Sequence, residues 1–491
     1  MTFKIYNSLT NKIEEFKSVK PDIARMYNCG PTVYSTAHIG NFRSNIIAEL
    51  IRRVLIHNGY KVIQVMNITD VGHLTDDGDD GEDKLEVAAK KEKKHPLEIA
   101  KYYTNIFLND WKTLHMLEPE FRPKATETVS EMIEVIKVLL EKGHAYIAGG
   151  NVYYDITSFP EYGKLSGNTL DKLSNNRVDP DPNKRNPQDF VLWFANSKYE
   201  NHILKWDSPW GEGYPGWHME CSTMSASLLT DAFKDGKFEP EKFETIDIHT
   251  GGEDNRFPHH ECEIAQTEGA TNKKYVNYWL HVRHLIVEGQ KMSKSLGNFY
   301  TIQQLIDEGF SWRAIRYLLT STHYRSPLNF TKEGLRAAQK NIDRIDDLLK
   351  RLDKIRGDKQ FYEPINLDLE KMLLEVEESF NDDLNVSGAL GALFEFIKKI
   401  NKTLEQELIG REQAQLIKEK IFSLDDLFGF FDKTILEEKS LDDELVNLLE
   451  QRKKAREEKN WSESDRLRDL LRTKGLEVRD TPNGQEWTLT Q

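Results

Sequence analysis

Three cysteines, Cys29, Cys221 and Cys262, are all that this chain of 491 residues contains. They are too few and too scattered for a disulfide framework, so the expected home is a reducing cytoplasm where thiols stay available to metal. No window approaches the length of a continuous apolar membrane span. The start, Met1-Thr2-Phe3-Lys4, lacks the apolar run of a signal peptide. An excess of positive charge is missing too. The formal net charge of −14 argues against a polycation that coats nucleic acid by charge alone, yet it leaves room for a local basic face. There is no Gly-Lys-Ser/Thr and hence no P-loop, and no solenoid-type repeat. Gly211-Glu-Gly-Tyr-Pro-Gly216 spells the dinucleotide string, but it follows Ser208-Pro-Trp210 and contains Pro215. That fingerprint needs a strand before it and a helix after it, so the match is false.

What is present divides the chain. Hydrophobic content of 38% and charged content of 30% describe a soluble globular protein, and the length calls for three or four structural units. Ile23 to Cys29 has strand composition and stops at the turn signal Gly30-Pro31. From His38 the apolar residues Ile39, Phe42, Ile46, Leu50 and Val54 keep helical spacing; Asn58-Gly59 ends the helix. The run from Lys61 to Thr69 predicts the next strand. Such a β-α-β unit belongs to a doubly wound α/β sheet, where ligands sit at the carboxyl ends of the strands. Ala125 to Met219, rich in Pro, Gly, Trp and Tyr, reads as an insertion, and Thr245 to His249 restores a short strand. Beyond Phe330, the residues Leu335, Ala338, Ile342, Ile345, Leu349 and Leu352 form the seam of an amphipathic helix. Gly357 to Pro364 reads as a linker, more amphipathic helix follows to about Phe431, and the segment from Asp442 ends in strand-like pieces around Thr481-Pro-Asn-Gly484.

Two stretches suit phosphate. Lys291-Met-Ser-Lys294-Ser295, followed by Leu296-Gly-Asn298, sets two lysines three positions apart in a polar turn. Such a loop can close its ammonium groups on a triphosphate and stabilise charge that develops in a transition state. Far upstream, Ala37-His38-Ile39-Gly40-Asn41 opens a helix, where unpaired backbone N–H groups favour phosphate. Metal ligands are harder to read. In Phe257-Pro-His259-His-Glu-Cys262-Glu263, His259 and Glu263 share one helical face, while Ile264 stands where a zincin would need its second histidine. With Cys29 and Cys221 they would complete a tetrahedral zinc set. Spacing alone favours two buried cysteines and a surface His–Glu pair, because ligands so far apart in sequence cannot be joined by spacing. Asp76 to Asp83 tempts a calcium reading, but either register puts glycine at a ligand position, so it reads as a solvated acidic loop.

The order of motifs resolves this by resemblance. Asn28-Cys29-Gly-Pro-Thr-Val-Tyr34, Asn67-Ile-Thr-Asp70, Lys184-Arg-Asn-Pro187, Asp189-Phe-Val-Leu-Trp193, Ser208-Pro-Trp-Gly211, Pro215-Gly-Trp-His-Met-Glu-Cys-Ser222, Phe257-Pro-His-His-Glu261 and Lys291 to Asn298 occur in sequence. The phosphate pair resembles the two signatures of class I aminoacyl-tRNA synthetases, and the whole resembles the cysteinyl-tRNA synthetases, essentially end to end. The resemblance implies ATP-dependent ligation of L-cysteine to tRNA(Cys) through a cysteinyl-adenylate. It implies that Cys29, Cys221, His259 and Glu263 hold one zinc per chain, which takes the substrate thiolate directly. Gly30, Thr69 and Trp217 would lie near the amino acid. His38, Asn41, Lys291 and Lys294 would form the catalytic set on the phosphates. Gly40, Gly251, Asp254 and again Lys294 would bind ATP, with Asp254 near the ribose and magnesium accompanying the nucleotide. Because serine and cysteine are nearly isosteric, a soft thiolate on zinc can discriminate where shape cannot.

The implied architecture is α/β: a doubly wound Rossmann-like parallel-sheet catalytic domain with an insertion, then an α-helical bundle, then a small C-terminal mixed α/β domain. The expected boundaries are 1–124 and 221–310 for the two catalytic halves, 125–220 for the connective insertion and 311–330 for a stem-contact region. A tRNA-binding bundle would span 331–432 and an anticodon-recognition domain 440–491. A cytoplasmic monomer with no membrane partner is expected. From Gln451 to Asp480, ten basic residues face seven acidic ones, which suits a tRNA-facing element; a salt-bridged surface helix is the plainer reading of that count. Two departures stand out. The upstream signature usually ends in histidine, whereas this chain has Asn41, an amide that donates hydrogen bonds but carries no charge. Cys262, three residues after His259, could also face the metal, but the family does not use it, and a free thiol is expected. The alternatives are a ligase that joins cysteine to an aminosugar and a non-catalytic tRNA-binding paralogue.

Overall fold

The computed structural model describes residues 2–74, 81–168, 181–195, 202–293, 296–437, 443–481 and 484–489. Two short strands, β1 (Lys4–Asn7) and β2 (Lys12–Glu15), pair antiparallel at the beginning. The next strand, β3 (Ile23–Asn28), is apolar enough to be covered on both faces; Ala24, Met26 and Tyr27 are fully buried. Two-sided burial marks an inner strand of a parallel sheet. α1 (Ile39–His57) then crosses over to β4 (Lys61–Met66), which pairs parallel with β3.

The chain leaves this sheet through α2 (Lys84–Glu92), α3 (Pro96–Thr113) and α4 (Val129–Glu141). The segment rich in Trp and Tyr forms an antiparallel sheet of β5 (Ala145–Ala148), β6 (Asn151–Tyr154), β7 (Phe190–Phe194) and β8 (Tyr214–Pro215). Its aromatic residues are core: Tyr153, Tyr154 and Trp193 are completely buried. The false dinucleotide string runs through β8, in the antiparallel sheet. α5 (His218–Leu229), a short hairpin of β9 (Phe233–Lys234) and β10 (Lys237–Phe238), and β11 (Ile246–Gly252) lead back into the parallel sheet. α6 (His259–Thr271) connects β11 to β12 (Val276–Val282), and the sheet order is β12-β11-β3-β4. The order reverses between β3 and β11, which is where ligands bind in doubly wound sheets.

A second small sheet follows. β13 (Leu285–Val287) pairs antiparallel with β14 (Gln290–Lys291), and, after α7 (Ile302–Asp307) and α8 (Trp312–Ser321), parallel with β15 (Leu328–Phe330). Helices α9 (Lys332–Asp353), α10 (Glu363–Asn381), α11 (Val386–Glu405), α12 (Arg411–Ser423) and α13 (Asp425–Phe428) complete the body that runs to Phe431. Every residue of the expected seam on α9, from Leu335 to Leu352, is buried.

A buried ionic junction ties α1 to these helices. Glu49 accepts from Arg316 on α8 at 2.6 Å and from Arg53 at 2.8 Å, while Arg53 also donates to the Asp425 carbonyl at 2.8 Å. Burial alone would raise the Glu49 carboxyl, but Arg316 and Arg53 hold it below its ordinary range. Replacing one partner of such a pair strands a charge in low dielectric, typically at about 3–5 kcal/mol.

The acidic run needs correction. Residues 75–80 lie outside the described residues, but Asp83 is buried, caps α2 through the N–H groups of Leu85 and Glu86, and accepts from Gly72 N at 2.7 Å. An acid directly before a helix is a capping signal, and it outweighs the solvated-loop reading at this position.

Residues 432–491 form a separate body. Here α14 (Asp443–Glu457) and α15 (Trp461–Thr473) pack on the hairpin of β16 (Leu476–Thr481) and β17 (Gly484–Leu489). Leu445, Leu449, Leu471, Leu476 and Val478 make its core. Arg452 is wholly buried and grips Asp480 with both terminal nitrogens, at 3.0 and 2.9 Å. Among the described residues no helix is long and apolar enough to cross a membrane.

Candidate active site

The first signature sits where β3 hands the chain to α1. His38 caps the helix: its Nδ1 accepts from Gly40 N at 3.1 Å and Asn41 N at 3.2 Å, and Asn41 Oδ1 accepts from His38 N at 3.0 Å. This reciprocal box fixes both side chains. With Nδ1 accepting, the ring proton belongs on Nε2, and the Asn41 amide keeps its NH2 as a donor. A methyl group at Gly40 would lie 2.9 Å from the His38 ring, so glycine is needed for this cap.

The second signature closes on the first. Ile39 N donates to Tyr300 O at 3.0 Å, Phe299 packs edge-on against His38 with centroids 5.3 Å apart, and Met292 reaches within 3.4 Å of the Cβ position of Gly40. Lys291 ends β14 and is exposed. Asn298 bridges the loop, accepting from Ser293 N at 2.8 Å and donating to Lys291 O at 3.2 Å. Lys294 lies outside the described residues. Gly251 is the penultimate residue of β11, beside the ring of His260, and exposed Asp254 follows in the turn before α6.

The four sequence-chosen ligands converge. One donor atom from each of Cys29, Cys221, His259 and Glu263 lies within 4.8 Å of all the others. His259 Nε2 is 3.4 Å from Cys221 Sγ and 3.2 Å from Glu263 Oε1. The donor set fits zinc on three observations. Glu263 Oε1 is buried without a hydrogen-bond partner, while its Oε2 is taken by His249 Nε2 at 2.9 Å and the Tyr275 hydroxyl at 3.1 Å. His259 Nδ1 is engaged by His218 Nδ1 at 2.9 Å, which leaves Nε2 for a metal. Burial pushes the Cys221 thiol well above its ordinary range, with Cys29 and Glu263 adding to the effect; a divalent cation offsets that crowding of acidic groups. Burial also holds His259 and His260 well below the ordinary imidazole range, so both are neutral at pH 7.

A second group, Cys29, His249, His260 and Glu263, is equally compact. In this group His249 Nε2 is spent on Glu263 Oε2, while His260, with Nδ1 on His281 Nε2 at 2.9 Å, keeps Nε2 3.3 Å from Cys29 Sγ. It also offers one thiolate instead of two, so the first set suits zinc better. Cys262 is in neither group; its sulfur lies 3.4 Å from the Tyr162 hydroxyl.

Beside the donors lie Thr69, Gly30 and Trp217, the residues expected near the amino acid. Thr69 donates its hydroxyl to buried Glu220 at 2.7 Å and accepts from Asn67 Nδ2 at 3.0 Å; Asn67 Oδ1 in turn receives Gly30 N at 2.8 Å. Any Cβ at Gly30 would fall 1.7 Å from the Asn67 carbonyl, a clash no side chain could relieve. Trp217, half-buried, is sandwiched between His259, centroids 4.0 Å apart, and His73, 3.9 Å apart. His73 is itself held by Thr32 Oγ1 at 2.7 Å and Lys84 Nζ at 2.8 Å.

Comparison with known proteins gives the family. The family model described as tRNA synthetases class I (C) catalytic domain matches residues 15–340, a DALR domain matches 375–432, and a cysteinyl-tRNA ligase anticodon binding domain matches 438–487. A cysteine–tRNA ligase of Chlorobaculum tepidum is 42% identical over 502 residues, covering 99% of this chain and 98% of the relative. One from Thermus thermophilus is 40% identical over 501 residues, covering both chains completely. The chain belongs to the cysteinyl-tRNA synthetase family. Its fold is shared more widely. The LeuRS–tRNA–LeuAMS complex of Agrobacterium radiobacter superposes with a TM-score of 0.63 at 13% identity, over 87% of this chain and 86% of that one. A methionyl-tRNA synthetase of Mycobacterium tuberculosis gives 0.59 at 12%, over 83% of this chain and 92% of that one.

As an aminoacyl-tRNA synthetase of class I, this ligase carries site residues that the sequence reading passed over. His218 and His249 buttress the donors, yet both lie in motifs already noted, Trp217-His218 and Ile248-His249. The available signal for His249 was its place toward the carboxyl end of a strand leading into Gly251-Gly252, where ligands gather in such sheets. The full-length match, with an anticodon-binding domain included, disfavours both the aminosugar ligase and the non-catalytic paralogue.

Proposed function

We propose that the site works as follows in the family reaction, ATP-dependent attachment of L-cysteine to tRNA(Cys). The observation that carries the reading is the convergence of Cys29, Cys221, His259 and Glu263 within 4.8 Å, beside Thr69 and Trp217. Those four residues would hold zinc, which would supply a soft Lewis acid that favours a thiolate over a hydroxyl. One such ion serves each chain. Thr69, polarised by Glu220, and the Gly30 backbone orient the amino acid, and Trp217 forms an apolar wall beside it.

ATP lies across the start of α1. His38 Nε2–H and the Asn41 amide donate to its phosphates, Gly40 lets them approach the helix end, and Lys291 and Lys294 close from the facing loop. Gly251 and Asp254 receive the ribose, and magnesium accompanies the triphosphate. The cysteine carboxylate attacks the α-phosphorus, the bond to the bridging oxygen breaks, and pyrophosphate leaves with the electron pair. The tRNA terminal hydroxyl then attacks the carbonyl carbon of cysteinyl-adenylate and AMP departs. Residues 125–220 act as the connective insertion between catalytic halves 1–124 and 221–310. Residues 311–330 meet the tRNA stem, 331–432 form the tRNA-binding bundle, and 440–491 read the anticodon. The enzyme is a cytoplasmic monomer in this reading.

The decisive test is cysteine-dependent charging of tRNA(Cys), with zinc measured on the same sample. Charging by a sample that holds zinc supports the reading; cysteine-independent ATP turnover, or charging equally well with serine, overturns it.

A further inference from the structure

Arg43 lies on α1, two residues beyond Asn41, and only 1% of it is exposed. Its guanidinium enters a nest of backbone carbonyls. Nη1 donates to Arg283 O at 2.7 Å and His284 O at 3.3 Å; Nη2 donates to Ser326 O at 2.9 Å, His323 O at 3.2 Å and Thr322 O at 3.4 Å. Among the described residues no carboxylate pairs with it, and Nε is buried without a partner. Burial lowers the guanidinium to about 10, so it stays charged at neutral pH. Burying a cation against neutral dipoles is costly. A leucine or methionine would fill the same volume without that cost. What an apolar residue cannot do is fix two chain segments by direction.

Both segments root the sheet that carries the second phosphate element. Arg283-His284 joins β12 to β13, and Thr322 to Ser326 precede β15 on the other side of β13. They are stitched together as well, by Arg283 N to Tyr324 O at 2.9 Å and Leu328 N to His284 O at 3.3 Å. β14 runs back along β13 so that Lys291 pairs with Ile286, two residues from His284. A displacement at the root therefore passes almost directly to Lys291.

Glu253 holds the same root, and its charge partly offsets the effect of burial on Arg43. Its Oε2 accepts from Arg283 Nη1 at 2.6 Å, and its Oε1 accepts from His284 N at 2.8 Å and also meets His284 Nδ1. Glu253 stands directly between Gly252 and Asp254. Arg283-His284 is thus the junction of the helix bearing His38 and Asn41, the strip bearing Gly251 and Asp254, and the hairpin bearing Lys291.

We propose that Arg43 is a positioning residue for adenylate formation, setting the Lys291 hairpin against the His38–Asn41 helix while Glu253 sets the same root against the ribose strip. The inference rests on the assignment of those elements to ATP. It acts in one half-reaction only, because pyrophosphate has left before tRNA is charged and the lysine loop then has no triphosphate to close on.

The test uses the full chain with zinc bound. Arg43→Lys keeps the charge but loses the planar fork. It should slow cysteine-dependent ATP–pyrophosphate exchange by about tenfold to a hundredfold, the range expected for a small misplacement of reacting groups. The KM for cysteine and the zinc content should not change. Transfer of cysteine from preformed adenylate to tRNA should stay within about twofold, since a merely destabilised enzyme would lose both steps together. Glu253→Gln, on the more exposed side, should give a smaller effect with the same split, and the double variant should be less than additive. If Arg43→Lys does not fold, Glu253→Gln alone reads the junction. Unchanged exchange in folded variants, or parallel loss of exchange and transfer, overturns the proposal. Failure of the wild-type protein to catalyse exchange would instead overturn the underlying assignment.

Discussion

Glu263 gives one carboxylate oxygen to His249, 2.9 Å from Nε2, and leaves the other 3.2 Å from His259 Nε2. The same carboxylate is therefore braced from the sheet and presented to the metal donors. Cys221→Ala should lose zinc outright, and His249→Ala should weaken its retention by about tenfold to a hundredfold, as measured by metal content after dialysis against a graded chelator. Cys262→Ser should keep full zinc. With cysteine added to the wild type, X-ray absorption should gain a sulfur neighbour at about 2.3 Å; an unchanged sulfur count would exclude direct ligation of the substrate. Retention of metal by Cys221→Ala and its loss from His260→Ala would point to the alternative donor group.

Lys294→Ala should cut the rate of adenylate formation far more than it weakens cysteine binding, because its charge is needed where negative charge develops. Pre-steady-state exchange kinetics and calorimetric cysteine titration separate the two. A variant altered only in cysteine affinity would remove the lysine from the phosphate role.

Asp110 is buried, its Oδ2 has no partner, and burial pushes its carboxyl up to about 7. The folded protein therefore binds a proton that the unfolded chain releases at much lower pH. Stability should fall as pH rises from the ordinary carboxylate range to about 7, and level off above it. Asp110→Asn removes this dependence. Its thermal midpoint should exceed the wild type at pH 8 and converge with it near pH 4; equal midpoints at both pH values would show that Asp110 ionises without penalty.

A chain ending at Phe431 stops at the boundary of the first body. It should still activate cysteine with ATP, since every donor and phosphate residue lies upstream. Charging should be poor and insensitive to changes in the anticodon. Normal charging with intact anticodon discrimination would exclude the tail from tRNA reading. The charge count alone is a weak guide here. Arg452 is consumed internally by Asp480, and Arg466, Arg468 and Lys474 each pair with an acid of the same body. Such internal pairs leave less net positive field than a tally of lysines and arginines suggests.

Local periodicity carried most of the fold. β3, α1 and the α9 seam follow from which side chains repeat every two or every three to four residues, and the structure covers those faces. His38 and Asn41 were legible because a helix start is a local event. The donor set was not legible from spacing, since Cys29 follows β3, Cys221 sits in α5, and His259 with Glu263 opens α6; only the resemblance joined them. Arg43 left no trace at all. Its partners are carbonyl oxygens, which every residue owns, so no pattern of side chains marks the nest it fills.

The donor set has a consequence in time as well as in space. A ribosome makes Cys29 early, and the growing chain must then add the antiparallel sheet and α5 before Glu263 emerges. No tetrahedral site exists until that point, so the nascent protein carries Cys29 as a bare thiol through half of its synthesis. If zinc is held there as proposed, it can load only after Glu263 has been made, a little past the middle of the chain.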